Sequence, residues 1–172
     1  MVQSIGICMI LAVTTLTGAY FCLREKYRLQ DLRELERAMV MLESQIRYLS
    51  VPLSEVLENI SYQTSGQVGV LMQETAKAMA EKTGETADKI WETVWLRHLS
   101  HTYFSGEDYL SILRFGKTLG YLDQEQQKNS TDLFLTELRQ KCGQLERRLE
   151  KNGRLYYSMG FLGGLLLVIV LL

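Results

Sequence analysis

Proline, cysteine and histidine are scarce in this sequence of 172 residues, which has one proline, three cysteines and two histidines. Because Pro52 is the only proline, long stretches of the sequence contain no proline that would interrupt a helix. The odd number of cysteines, with Cys8 and Cys22 in or beside an apolar run, argues against a disulfide framework. His98 and His101 cannot form a zinc site without a carboxylate as third ligand. These scarcities favour a helical protein of a reducing compartment, and we expect no cofactor.

Charge is missing from both ends of the sequence. All charged side chains, 19 basic and 20 acidic, lie between Arg24 and Arg154. Because the two signs nearly balance, the charged segment has no basic footprint for nucleic acid. We therefore expect no nucleic-acid partner.

The uncharged ends are typical of membrane-spanning helices. Ile5–Leu23 provides 19 uncharged residues, and residues 155–172 provide 18; a helix of that length covers about 27 Å of a hydrocarbon core about 30 Å thick. Basic residues follow the first run and precede the second: Arg24, Lys26, Arg28, Arg147, Arg148, Lys151 and Arg154. The positive-inside rule then predicts a transmembrane anchor at residues 1–23, a cytoplasmic helical domain at 24–154 and a transmembrane helix at 155–172, with both termini on the opposite side.

Small residues four apart occur inside both runs, at Thr14 and Gly18 in the first and at Gly160 and Gly164 in the second. Such pairs permit close contact between membrane helices, either between the two spans or between neighbouring subunits. Glycine is also simply common in membrane helices, and both interpretations stay open.

Heptad seams adjoin the two runs and predict long helices. The first seam is Leu32, Leu35, Met39, Leu42, Ile46 and Leu49, and the second is Leu135, Leu138, Cys142, Leu145 and Leu149. Pro52 predicts that the first helix stops near Ser50.

Four shorter apolar patterns lie between the seams. Their buried faces are predicted at Leu53, Val56, Leu57 and Ile60; at Val68, Leu71, Met72, Thr75, Ala76 and Met79; at Ala87, Ile90, Trp91, Val94, Trp95 and His98; and at Ile112, Leu113, Gly116 and Leu119. Ser105 and Asp108 resemble a capping box, and Gly120 suits a helix end. We predict an all-α fold, a six-helix antiparallel cytoplasmic bundle whose first and last helices are continuous with the two transmembrane helices.

Motifs for catalysis are weak. Gly116-Lys117-Thr118 looks like the end of a phosphate-binding loop, but Ser111 stands where that loop needs its first glycine, and no strand precedes it. No nucleophile elbow, paired-acid signature or dinucleotide fingerprint appears, so nothing in the sequence argues for an enzyme.

Two alternatives to a structural protein remain. A membrane-bound metal-dependent enzyme would use His98 and His101, with Glu107 or Asp108 as a third ligand. A pore-forming membrane subunit would be built from the two spans, although neither has a charged residue to line a water path.

Three segments carry a family resemblance: IRYLSVPLSEVLENI, FGKTLGYLDQEQQ and KNGRLYYSMGFLGGLLLVIVLL. With the N-terminal run that leads into a leucine heptad, they make the chain resemble the stage III sporulation protein AB family of endospore-forming bacteria over nearly its full length. The most specific parts are Pro52-Leu53, the run from Phe115 to Asp123 with Gln127, and Lys151-Asn152 through Gly160 and Gly163.

The resemblance implies an adaptor or platform of the channel apparatus that links mother cell and forespore. It would be anchored in the outer forespore membrane, with its helical domain in the mother-cell cytoplasm. The family's cytoplasmic domain is similar to that of the inner-membrane platform proteins of type II secretion and type IV pilus systems. Implied partners are a cytoplasmic secretion-type sporulation ATPase, other membrane components of the channel and the lipid bilayer; a homo-oligomer stays open. The family brings no catalytic residue.

The segment from Gly120 to Gln127 is the predicted partner contact. Its polar residues exceed what helix capping needs, and we select Gly120, Asp123 and Gln127. Asp123 also fits an N-cap of the last helix, since Gln126 follows three residues later.

Overall fold

The computed structural model describes the backbone of residues 2–48, 51–81, 84–120 and 124–171, and the side chains of residues 13, 16, 17, 19–45, 51–81, 84–120 and 125–151. Residues 30–142 pack as one compact unit, and residues 1–29 with 143–172 pack as a second. The boundaries predicted at residues 23/24 and 154/155 follow charge rather than packing, and they stay predictions.

The described backbone forms six α-helices and no strand, which confirms the all-α fold class. The helices are α1 (Val2–Tyr48), α2 (Leu53–Ser61), α3 (Gly66–Ala80), α4 (Ala87–Arg97), α5 (Gly106–Gly116) and α6 (Gln124–Leu171), with a short 3-10 turn at Leu99–His101. The described part of each heptad seam therefore lies on the same helix as the uncharged run beside it.

Both heptad seams are buried where their side chains are described. The buried members are Leu32, Leu35, Met39, Leu42, Leu135, Leu138, Cys142 and Leu145, and Leu149 is half-buried. The side chains of Ile46 and Leu49 lie outside the described residues. A repeat of alternating three and four residues keeps one stripe of a helix facing inward, which explains why these positions are buried.

Helix α1 is described as far as Tyr48, and α2 begins at Leu53; Ser50, where Pro52 predicts the stop, lies outside the described residues. Pro52 is the residue before α2, and its carbonyl accepts hydrogen bonds from the N–H groups of Glu55 (3.0 Å) and Val56 (3.2 Å). Because proline has no N–H to donate, this position costs the helix nothing.

The four shorter helices bury the predicted faces. Consecutive helices from α2 to α5 contact one another. Their buried apolar side chains include Val56, Leu57, Ile60, Val68, Leu71, Met72, Ala76, Ile90, Trp91, Val94, Trp95 and Ile112, whereas Leu53, Met79, Ala87, His98 and Leu113 are half-buried. Gly69 on α3 lies against the backbone carbonyl of Thr64, so α3 begins in very close contact with the segment that follows α2.

Helix α5 has defined ends. The Ser105 Oγ accepts from the Asp108 N–H (3.3 Å), and the Asp108 carboxylate accepts from the Ser105 N–H (2.8 Å), so the predicted capping box is present with aspartate as its acid. Helix α5 ends at Gly116, with Lys117 as its C-cap, so it stops before the predicted Gly120. Gly120 has a φ of +85°, a left-handed conformation that glycine adopts readily, and it lies at the end of the turn that follows the helix.

Aromatic rings connect the helices of this unit. Trp91 and Trp95 stack with centroids 4.8 Å apart, Trp91 meets Phe115 edge to face at 5.7 Å, and Phe115 stacks on Phe134 at 4.8 Å. Both tryptophans are fully buried. The contacts therefore run from α4 through α5 to α6, and the tryptophan pair is core packing, as the apolar-face pattern predicts.

Candidate functional site

A charged cluster joins α5 to α6. The Lys141 ammonium contacts Ser111 Oγ (2.7 Å), Glu137 Oε1 (3.0 Å) and the fully buried Asp108 Oδ1 (3.6 Å). The Ser111 hydroxyl also contacts the Glu137 carboxylate and donates to the Glu107 carbonyl (3.0 Å). One lysine thus contacts two carboxylates, and its positive charge offsets part of the cost of burying them.

The ionisation of Glu137 follows from this cluster. Partial burial acts to raise its pKa, but hydrogen bonds from Ser111 and Lys141, with the positive charges of Lys141 and Arg114, hold the pKa of Glu137 below its ordinary value of 4.5. Glu137 is therefore ionised at neutral pH, and its charge is already matched within the cluster.

A pocket of about 260 Å³ opens beside the cluster, between α5 and α6. Its α5 side is formed by Ser111, Arg114, Phe115 and Thr118, and its α6 side by Ser130, Leu133, Phe134 and Glu137. The volume is enough for one large side chain. Sequence reasoning does not find this pocket, because it depends on how two helices pack.

The predicted partner contact is close in sequence to the residues that line this pocket. Gly120 is exposed two residues beyond Thr118, and Gln127 is half-buried three residues before Ser130. The Gln127 Nε2 is buried without a hydrogen-bond partner in the described part of the chain, whereas Asp123 lies outside the described residues. Two of the three selected residues therefore flank the pocket along the chain.

A second polar cluster ties α1 to the segment before α5. The Asp31 carboxylate accepts from the Tyr103 N–H (2.9 Å), and the hydroxyls of Thr102 and Tyr109 are 2.7 Å apart. Burial raises the pKa of Asp31 above its ordinary value, and the hydrogen bond from the Tyr103 N–H offsets only part of that rise. Burial also raises the pKa of Tyr109; the Thr102 hydrogen bond opposes that rise, and the Asp31 charge adds to it.

The histidine pair is engaged elsewhere. The His98 Nδ1 is 3.0 Å from the Val94 carbonyl, and its Nε2 is 3.1 Å from the Glu74 carboxylate. The rings of His98 and His101 are 6.0 Å apart. Over the residues that the structure describes, no group of three His, Cys, Asp or Glu is placed to hold a metal ion, so neither Glu107 nor Asp108 is brought in as a third ligand.

The candidate membrane-packing residues are helical. Thr14 and Gly18 lie within α1, and Gly160 and Gly164 lie within α6. The surroundings of these four residues lie outside the described part of the structure. Their role in helix packing stays a prediction.

Comparison with known proteins assigns the chain to a family. A family model for stage III sporulation protein AB matches residues 3–172. The chain belongs to the stage III sporulation protein AB family. Stage III sporulation protein AB of Bacillus subtilis (strain 168) is 28% identical over the whole of both chains. A solved structure of stage III sporulation protein AB has a TM-score of 0.67 and 24% identity, and the match covers 72% of this chain and 96% of the other.

Family membership makes this a sporulation protein with a helical bundle, and the stage III sporulation protein AB family is not a known enzyme family. Among the residues that the structure describes, no helix is both long and apolar enough to span a membrane. The two transmembrane helices predicted from the sequence stay predictions.

Proposed function

We propose that this protein is a membrane-anchored platform of the channel apparatus between mother cell and forespore, and that its helical bundle docks a cytoplasmic secretion-type ATPase. Membership in a sporulation family supports the setting, and the uncharged runs at Ile5–Leu23 and residues 155–172 support the anchors. The family resemblance supplies the class of partner.

One observation carries the docking role: an exposed leucine adjoins an aromatic pocket between α5 and α6. Leu133 is 73% exposed and lines this pocket with the stacked rings of Phe115 and Phe134. Exposed apolar surface that continues into a pocket is typical of interaction sites. A docked protein would remove this surface from water.

Binding of the purified sporulation ATPase to the full-length protein in detergent tests the docking role. Asp123→Lys should weaken binding while circular dichroism shows unchanged helix content. The control is Glu81→Lys, an equal charge reversal at an exposed position just after α3. Unchanged affinity of Asp123→Lys would remove the Gly120–Gln127 segment from the interface, and no binding by the wild-type protein would refute docking.

Membrane topology is tested by thiol labelling. Cys142 is only 6% exposed and is a poor reporter, so the native cysteines are replaced by alanine, and single cysteines are introduced at exposed Ser100 and at Gln3. In spheroplasts of an expressing bacterium, an impermeant maleimide should label Gln3→Cys and spare Ser100→Cys until the membrane is opened. Labelling of Ser100→Cys in intact spheroplasts would contradict a cytoplasmic bundle.

A further inference from the structure

The pocket between α5 and α6 has one apolar wall and one cation, and these two features define what it can bind. The wall consists of the stacked rings of Phe115 and Phe134 with Leu133 at the edge. Leu133 is 73% exposed, although it lies next to an aromatic floor that could shelter an apolar group. Covering such a patch with a large apolar side chain removes it from water, which is the usual basis of an interface anchor.

Hydroxyl donors in the pocket are already used. Ser130 Oγ donates to Thr118 Oγ1 (3.0 Å), and Thr118 Oγ1 donates to the Phe115 carbonyl (2.7 Å). Ser111 is committed to the Glu107 carbonyl and to Glu137. None of these three hydroxyls has a second proton to offer a ligand.

Arg114 is the remaining donor. It is exposed and lines the pocket, and its charge reaches Glu137 through space, but no hydrogen bond or ion pair holds its guanidinium within the described part of the chain. Glu137 is meanwhile bound by Ser111 and Lys141. Arg114 therefore presents a planar set of N–H donors suited to a carboxylate.

We propose that this pocket anchors the docked ATPase by taking one large apolar side chain of its surface together with a neighbouring carboxylate that binds Arg114. The pocket of about 260 Å³ has room for one such side chain and no more. Exposed Lys117, one turn beyond Arg114 on the α5 side, adds a second positive charge and favours an acidic segment. This inference rests on the docking role proposed above, and it names the residues and the partner chemistry.

The test measures the dissociation constant of the purified sporulation ATPase for the full-length protein in detergent. Arg114→Glu and Leu133→Asp should each raise it at least tenfold, and Arg114→Lys should raise it less, because lysine keeps the charge but loses the paired donors. Matched controls are Lys89→Glu and Leu96→Asp, which make the same kinds of change at exposed positions of α4 and should leave the constant within about twofold.

Each result decides between the two proposals. Binding by the wild-type protein with unchanged constants for Arg114→Glu and Leu133→Asp would overturn the pocket and leave docking intact. Equal losses in the α4 controls would also overturn it, and absence of wild-type binding would remove both proposals. If Arg114→Glu lowers the melting temperature, Arg114→Gln replaces it in the comparison, because glutamine removes the charge without reversing it.

Discussion

Gly116 lies directly against the indole of Trp91, so closely that a Cβ on Gly116 would overlap the ring atoms Cδ1, Cγ and Nε1. The same indole donates its N–H to the Ile112 carbonyl (3.2 Å), one turn earlier on α5. The two contacts fix α4 against α5 at a distance that only a glycine permits.

Gly116→Ala should therefore destabilise the fold. The added methyl group must displace a fully buried ring, and overpacking of this kind costs about 1–3 kcal/mol. Gly106→Ala on the same helix is the matched control, because a Cβ there meets no atom within 4 Å. Chemical denaturation followed by circular dichroism measures both, and equal stability of the two variants would contradict the close approach.

Lys141→Met should lower the free energy of unfolding by about 2 kcal/mol. The substitution keeps the length of the side chain but leaves the carboxylates of Asp108 and Glu137 facing each other's charge without the ammonium between them. Lys117→Met, at an exposed position, should change stability by less than about 0.5 kcal/mol. If the two variants unfold alike, the cluster does not stabilise the α5–α6 contact.

The lowered pKa of Glu137 makes part of the protein's folding stability sensitive to acid. Because this pKa is below 4.5 in the folded state, ionised Glu137 stabilises the fold above pH 4.5, and the contribution is lost as the pH falls from there through the folded-state pKa. Glu137→Gln should reduce the loss of stability over that acidic range. Glu125→Gln, an exposed change on the same helix, is the control; identical pH profiles for Glu137→Gln and the wild type would count against the assignment.

The pKa of Asp31 is shifted in the opposite direction, so its effect on stability has the opposite dependence on pH. Its raised pKa means that folding disfavours its charge at neutral pH, so Asp31→Asn, which retains an acceptor for the Tyr103 N–H, should raise stability at pH 7 by a few tenths of a kcal/mol after allowance for solvent screening. The gain should disappear at a pH low enough to protonate Asp31 in the wild type. Asp31→Ala removes the acceptor and should destabilise; thermal melts at both pH values compare the three proteins.

Local patterns predict the helices well and their contacts poorly. The heptad seam at Leu32–Leu42 and the capping box of Ser105 and Asp108 each depend on residues within one helix, where spacing fixes geometry. The Asp31 bond to Tyr103 joins residues 72 positions apart, and the Arg139 bond to Glu36 (3.2 Å) joins residues 103 apart. Such contacts depend on the rotation and displacement of one helix against another, which periodicity leaves open.

In the candidate site, too, the sequence predicts features within one helix but not the contacts between helices. Polarity singles out Gly120 and Gln127 from the sequence, and the spacing of Glu137 and Lys141 is a recognisable helical ion pair. Nothing in the sequence places Ser111 or Asp108 beside that pair, because burial of Asp108 depends on α6 lying across α5. The pocket and the position of Arg114 on its rim arise from the same packing.

The stacked indoles give the protein an optical signature. Its only two tryptophans are Trp91 and Trp95, both fully buried with their rings 4.8 Å apart and 20° from parallel. Two such chromophores couple through their strong short-wavelength transitions, so the far-ultraviolet circular dichroism should carry a paired band that vanishes when α4 leaves the core, and the emission should shift to longer wavelength at the same moment. Every unfolding experiment on this protein can therefore be read without an added dye.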